Sequence, residues 1–250
     1  LPIEDIRIIK EQYENFIEDI NYEFFDDYIA KFIKANKDRY NYITEEAVQF
    51  VQQYCDKYEL EDMLVSFSGG KDSTVTSHIV NRALGTNKVL HIFGDTTLEF
   101  PYTLEYKKRF NKNEESRGIR ILTAKNREKN FEELCKIVGP PSRVMRWCCT
   151  VFKTGAIQKI ISSAFKDKNN ILSFQGIRHN ESASRSKYER ESESPKISKQ
   201  TVASPIIDWI DYDVWLYILA KNLLINDCYQ YGYKRVGCWC CPNNSDWSMM

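Results

Sequence analysis

The chain has 250 residues, 35 Lys/Arg against 35 Asp/Glu, 42% hydrophobic residues and eight cysteines. This length can bury a real core, as one large domain or one domain with an appendage. No run reaches the eighteen or so apolar residues of a spanning helix and the first residues lack the basic-then-apolar order of a secretory signal, so a soluble, cytoplasmic protein with no membrane partner is expected.

The charge is unevenly spread. Residues 1–62 hold 7 Lys/Arg against 16 Asp/Glu, a net of −9; the remainder holds 28 against 19, a net of +9. A basic body suits an anionic ligand, and acidic first helices suit a separate appendage that docks a partner. On charge alone, solvated faces are the favoured reading of both. No polybasic tract announces nucleic acid. The chain opens on Leu1 and its motifs run almost to Met250, which is compatible with a segment of a longer protein.

Residues 1–60 read as a helical extension. Thr44 is placed as an N-cap, with Ala47, Val48, Val51, Tyr54, Cys55 and Tyr58 at helical spacing behind it. Residues 61–250 read as the nucleotide-binding domain, in which strands and helices alternate. Met63–Phe67 is a short apolar strand, followed by a glycine turn and a helix through Leu84 that Gly85 stops. Lys88–Phe93 is a second strand, and Pro101 opens a helix at its favoured first position. Ile119–Thr123 is a third strand, Phe131–Val138 a helix, Trp147–Phe165 a helix, Ile171–Gln175 a strand and Asp211–Asn222 a helix. Arg178–Lys199 is polar and reads as a mobile loop. The order implies an α/β fold: a mostly parallel twisted sheet with helices on both faces and ligands beyond the carboxyl ends of its strands.

Ser66-Phe-Ser-Gly-Gly-Lys-Asp-Ser73 lies between a strand and a helix. Gly69 and Gly70 let the backbone turn tightly and approach a ligand. The helix that begins near Asp72 offers free N–H groups and a positive dipole end, Lys71 adds a charge, and Ser66, Ser68 and Ser73 lie beside them. This is a phosphate cradle, but not the ordinary P-loop, because Asp72 rather than Ser or Thr follows Lys71. Asp95 and Thr96 lie just past a strand end, where Asp95 could accept from a ligand hydroxyl, hold Mg²⁺ through water, or cap a turn. Arg178 and Arg185 could fork onto phosphate or sulfate oxygens, or pair with Glu181 and Glu189. Trp209, Val214, Trp215 and Ile218 are core by spacing and chemistry, and His78, His91 and His179 form no ligand spacing. Adjacent and C-x-x-C cysteines in a chain of this kind bind metal or carry redox chemistry.

The Ser68–Ser73 loop resembles the SGGKDS loop of ATP pyrophosphatases and phosphoadenosine-phosphosulfate reductases. Further stretches resemble the reductases in the same order. Gly94–Pro101 is similar to their DTGxxFPET loop, departing at Tyr102, where Glu is common. Gly139–Cys149 with Lys153 is similar to their double-cysteine segment, and Gly176–Ser182 with Arg185 to their GxRxxES loop. Ser204–Trp209 with Asp213–Trp215 is similar to the helix-opening motif. Tyr229–Pro242 is similar to the closing cysteine motif of archaeal and anaerobe members. The resemblance covers about residues 45–245.

It implies an adenine nucleotide α-hydrolase-like fold and a nucleotide substrate held by Ser66, Ser68–Ser73, Asp95, Thr96, Arg178 and Arg185. It also implies a four-iron–four-sulfur cluster on Cys148, Cys149, Cys238 and Cys241, with structural zinc or unligated core thiols as the alternatives. The implied reaction is reduction of adenylyl sulfate or its 3′-phosphorylated form to sulfite, with Cys240, Lys71 and Arg178 as catalytic residues and a thiol or ferredoxin-type electron donor. Reductases carry the attacking cysteine in a carboxyl-terminal tail, and none follows Pro242 in this sequence: either the chain is truncated, or Cys228 or Cys240 substitutes, or the reaction is another one. The other readings are an ATP pyrophosphatase, with Mg²⁺ and a tRNA or DNA acceptor for sulfur, and a noncatalytic, metal-stapled binding module.

Overall fold

The computed structural model describes residues 22–113, 116–194, 197 and 199–244. Expectations for residues 1–21 lie outside them. Two helices come first, α1 (Tyr22–Ala35) and α2 (Lys37–Gln52). The alternation then runs β1 (Met63–Phe67), α3 (Lys71–Leu84), β2 (Leu90–Asp95), α4 (Pro101–Phe110) and β3 (Ile121–Lys125). It continues through α5 (Phe131–Val138), α6 (Gly155–Ala164), β4 (Ile171–Gln175), β5 (Glu191–Glu193), β6 (Gln200–Ala203) and α7 (Asp211–Lys221).

The strands form one sheet in the order β3-β2-β1-β4-β6-β5, parallel except for β5 at the edge. The chain winds one way from β1 to β3 and the other way from β4 onward. The turns after β1 and β4 therefore flank the switch point, where an open α/β sheet leaves a crevice. Alternation along β1 divides the core. Met63 and Val65 pack with Val51, Tyr54, Val75, Ile79, Val214 and Tyr217 from α2, the turn behind it, α3 and α7. Leu64 turns to the other face, against Ile92, Ala124, Ala156 and Ile161. Phe67 and Phe93 meet Tyr106 and Phe110 of α4.

Several expected elements are corrected. Thr44 caps nothing: α2 starts at Lys37, and Thr44 lies buried within it on the core face. β2 and β3 begin two residues later than the apolar runs suggest, because Val89 and Ile119 are buried ahead of the ladder. The helix expected over Trp147–Phe165 contains a π-type turn at Cys149–Thr154 before α6. Arg178–Lys199 is not one loop. It holds short 3₁₀ turns at His179–Glu181 and Arg185–Lys187 and the strand β5, and β6 follows it. Strands of three and four residues with mixed side chains are too short to show a period. Trp209, Val214 and Ile218 are buried as expected.

Candidate active site

Gly69 takes φ 73°, and a Cβ there would approach Thr103 Cγ2 to 3.0 Å, so the turn after β1 requires glycine. Ser73 Oγ donates to Gly70 O (2.9 Å) and accepts from the Ser68 N–H (3.2 Å), which ties the loop to the first turn of α3. Asn226, fully buried, donates to Gly69 O (3.1 Å) and Thr103 Oγ1 (2.9 Å) and fixes the loop from below. The Lys71 N–H donates to the phenol oxygen of Tyr229 (2.8 Å), so a protein oxygen already occupies one acceptor position of the cradle. Burial pushes the Tyr229 phenol well above its usual range. The Tyr229 ring also lies 5.7 Å from the Lys71 ammonium.

Lys71 and Arg178, both 4% exposed at the side chain, meet two carboxylates in a four-charge cluster. Lys71 Nζ lies 3.0 Å from Asp211 and 3.4 Å from Asp72. Arg178 Nε donates to Asp72 (2.6 Å), Nη2 to Asp211 (3.2 Å) and Nη1 to Trp209 O (3.4 Å). Two cations against two anions leave no formal excess. The half-exposed Asp211 is therefore the group that an incoming anion would have to displace. Gly176, just past β4, sits so close to α3 that a Cβ would fall 2.7 Å from Asp72 O. Arg185 pairs with Glu181, and Glu181 accepts from the Arg178 N–H (3.0 Å). Ser66 lies on β1 beside the loop.

At the end of β2, Asp95 accepts from the Thr97 N–H (2.8 Å), the turn-capping geometry, and stands 3.8 Å from Lys125. Thr96 donates through its N–H and hydroxyl to Glu99 (3.0 and 2.8 Å), and its Oγ1 is 3.2 Å from Cys238 Sγ. The cysteine loop is further bound by a β-bridge between Glu99 and Cys238, and by the Trp239 N–H donating to Leu98 O (2.8 Å). Burial raises the Glu99 carboxyl and brings the Cys238 thiol up to about 11, with Lys153 opposing both. Arg143 donates to Pro242 O (2.9 Å), holding the Cys148-Cys149 segment against the same loop.

Burial, then Cys149 and then Cys238, push the Cys148 thiol up to about 11. All the cysteines are free thiols. The two cysteine segments meet, but among the described residues no three His, Cys, Asp or Glu side chains are arranged as a metal-ligand set. Cys240 is partly exposed beside Cys241, and Cys228 is buried. Asp211, Asn226, Tyr229 and Glu99 had no individual role assigned from the sequence, although Tyr229 opens the closing cysteine stretch and Asp211 opens α7.

The sequence model of the phosphoadenosine phosphosulfate reductase domain matches residues 62–244. The chain belongs to that family. The uncharacterized protein MJ0066 of Methanocaldococcus jannaschii is 36% identical over 84% of this chain, and MJ0973 of the same organism 30% identical over 97%. The chain spans 42% and 54% of the lengths of these two relatives. Other family relatives are named for reactions. An adenosine 5′-phosphosulfate reductase of Neisseria meningitidis is 34% identical over 37% of this chain and 35% of its own length. A sulfate adenylyltransferase subunit 2 of Methylorubrum populi is 27% identical over 68% and 60%. Among solved structures, a phosphoadenylyl-sulfate reductase of Candida auris in complex with phosphate shares the fold. Its TM-score is 0.59 at 16% identity, covering 81% of this chain and 95% of that one.

Proposed function

We propose that the chain binds an adenine nucleotide at the turns after β1 and β4 and reduces its sulfuryl group to sulfite. The observation that carries this reading is the docking of the cysteine loop on the turn after β2, with Cys238 Sγ 3.2 Å from Thr96 Oγ1. That contact sets thiols on the same edge of the sheet as the glycine loop. Ser66, Ser68–Ser73, Asp95, Thr96, Arg178 and Arg185 are the proposed nucleotide-binding residues. The N–H groups of Gly69, Gly70, Asp72 and Ser73 would meet the phosphate, the Lys71 N–H being held by Tyr229, and Lys71 and Arg178 supply side-chain charge once Asp211 gives way.

Two thiols are required. The first thiolate attacks the sulfuryl sulfur, forming a sulfur–sulfur bond as AMP or its 3′-phosphate departs with the bridging oxygen. A second thiol attacks that cysteine, a disulfide forms, and sulfite leaves with the electron pair. Cys240 is the proposed attacker, since Cys228, the alternative, is 1% exposed. The donor set Cys148, Cys149, Cys238 and Cys241 suits a four-iron–four-sulfur cluster, or structural zinc in its place. Such a group would staple the two segments and hold the four cysteines as thiolates.

A second reading has one specific support: the sulfate adenylyltransferase relative aligns over more of this chain than the reductase does. In that reading an acceptor attacks the α-phosphate of ATP and becomes adenylylated as pyrophosphate leaves, and Asp95 would hold a Mg²⁺ that offsets the phosphate charge. The two separate in one experiment on anaerobically purified protein. Sulfite released from adenylyl sulfate or its 3′-phosphorylated form with a dithiol present, lost in Cys240→Ser, is the expected result. Pyrophosphate from ATP with Mg²⁺, and no sulfite, would replace it with the second reading. Neither product would leave a binding module. In the same preparations Cys149→Ala should lose iron while keeping its fold, and parental iron content would remove the four-thiolate assignment.

A further inference from the structure

Four cations that the proposed chemistry does not use converge from four separate stretches of chain. Arg82 lies in the last turn of α3, Lys88 in the turn before β2, Arg117 ahead of β3, and Lys221 ends α7. Together they line a groove of about 790 Å³, and among the described residues no carboxylate stands in its wall. Residues 85–88 and 117–118 lead into the amino ends of parallel strands, whereas the glycine loop leaves a carboxyl end. The groove is therefore on the opposite edge of the sheet from the candidate active site.

Among the described residues none of the four forms an ion pair with a carboxylate. Arg82 and Lys221 have a local reason to be basic, because a cation in the last helical turn offsets the macrodipole. That offset is roughly half a charge per helix, so the described lining keeps a net of about +3. Lys88 and Arg117 stand outside helices and are exposed, so no such reason applies to them. We propose that this groove is a second anion site, which holds the phosphodiester backbone of a nucleic-acid strand. It is open, it presents two guanidinium and two ammonium groups, and among the described residues no Phe, Tyr or Trp lines it, His78 being the one ring in its wall. That set reads phosphates without reading sequence. Several linked phosphates engage spaced cations together, where a single free phosphate meets each alone.

The test is fluorescence anisotropy of a labelled single strand of about 12 nucleotides, within the usual span of one binding groove, titrated with the chain at several salt concentrations. Four neutralised phosphates predict a log–log salt slope of about −3. Lys88→Ala/Arg117→Ala, two exposed positions outside helices, should halve that slope and weaken binding about tenfold. Lys88→Glu/Arg117→Glu should weaken it further. Lys71→Ala should leave strand binding unchanged, which separates this site from the nucleotide site. No binding, or binding indifferent to the groove variants, would overturn the proposal. So would full displacement of the strand by tripolyphosphate at equal charge concentration, which would make the groove a site for free polyphosphate.

Discussion

His91 touches no candidate ligand residue, yet it gives the molecule a built-in acid sensitivity. It is fully buried on β2, its Nδ1 donating to Val89 O (2.9 Å) and its Nε2 paired with the Ser77 hydroxyl (2.7 Å). Burial lowers its pKa from 6.5 to about 4. Between those values the unfolded chain binds more protons than the folded one. Its stabilising effect is complete above pH 6.5 and is lost as pH falls toward 4, about 3 kcal/mol across the window. The melting temperature should drop through that range, and His91→Gln should flatten the drop. An unchanged pH slope in the variant would assign the loss to other groups. The cradle residues are local in sequence and so were legible there. Asp211, Asn226 and Tyr229 were not, because their partners Lys71 and Gly69 lie well over a hundred residues away and no short pattern records such a pairing.

At the scale of elements, the site depends on how closely β4 and α3 approach. Gly176 makes that approach, and its missing Cβ would stand 2.7 Å from Asp72 O, 2.8 Å from Asp72 C and 2.9 Å from Thr76 Oγ1. Two of these atoms are backbone and cannot swing away. Gly176→Ala should therefore push the turn after β4 off the helix and pull Arg178 from Asp72, at a cost of about 1–3 kcal/mol. Calorimetric titration with adenylyl sulfate should show weaker binding together with a lower melting temperature; if both stay at the parental value, the tight packing is not what aligns Arg178. β1, β4, α5 and α7 were legible because each couples a clear apolar period to a boundary residue, such as the Asn130–Glu133 capping box of α5. β5 was not, since Glu191-Ser-Glu193 has no apolar side chain and becomes a strand only through its pairing with β6.

Over the whole molecule, the acidic helices and the sheet share one core. Ile43, Ala47 and Val51 of α2 and Tyr54 just beyond it pack in the same cluster as Val65, Phe174 and Tyr217. Tyr54 also donates to Glu191 on the edge strand (2.5 Å), and Arg190 pairs with Glu46 while lying 3.9 Å from the Phe50 ring. These contacts staple α2 across the edge of the sheet that β5 would otherwise leave open. The helices and the sheet should consequently melt as a unit. Tyr54→Ala removes a buried aromatic worth about 3–5 kcal/mol, which at this chain length lowers the melting temperature by roughly 10 °C. Circular dichroism at 222 nm and tryptophan fluorescence should report the same shifted midpoint, because Trp209 and Trp215 belong to the cluster that Tyr54 joins. Two separate transitions, with the helical signal lost first and the tryptophan signal at its parental midpoint, would mean that the acidic helices fold as an appendage of their own.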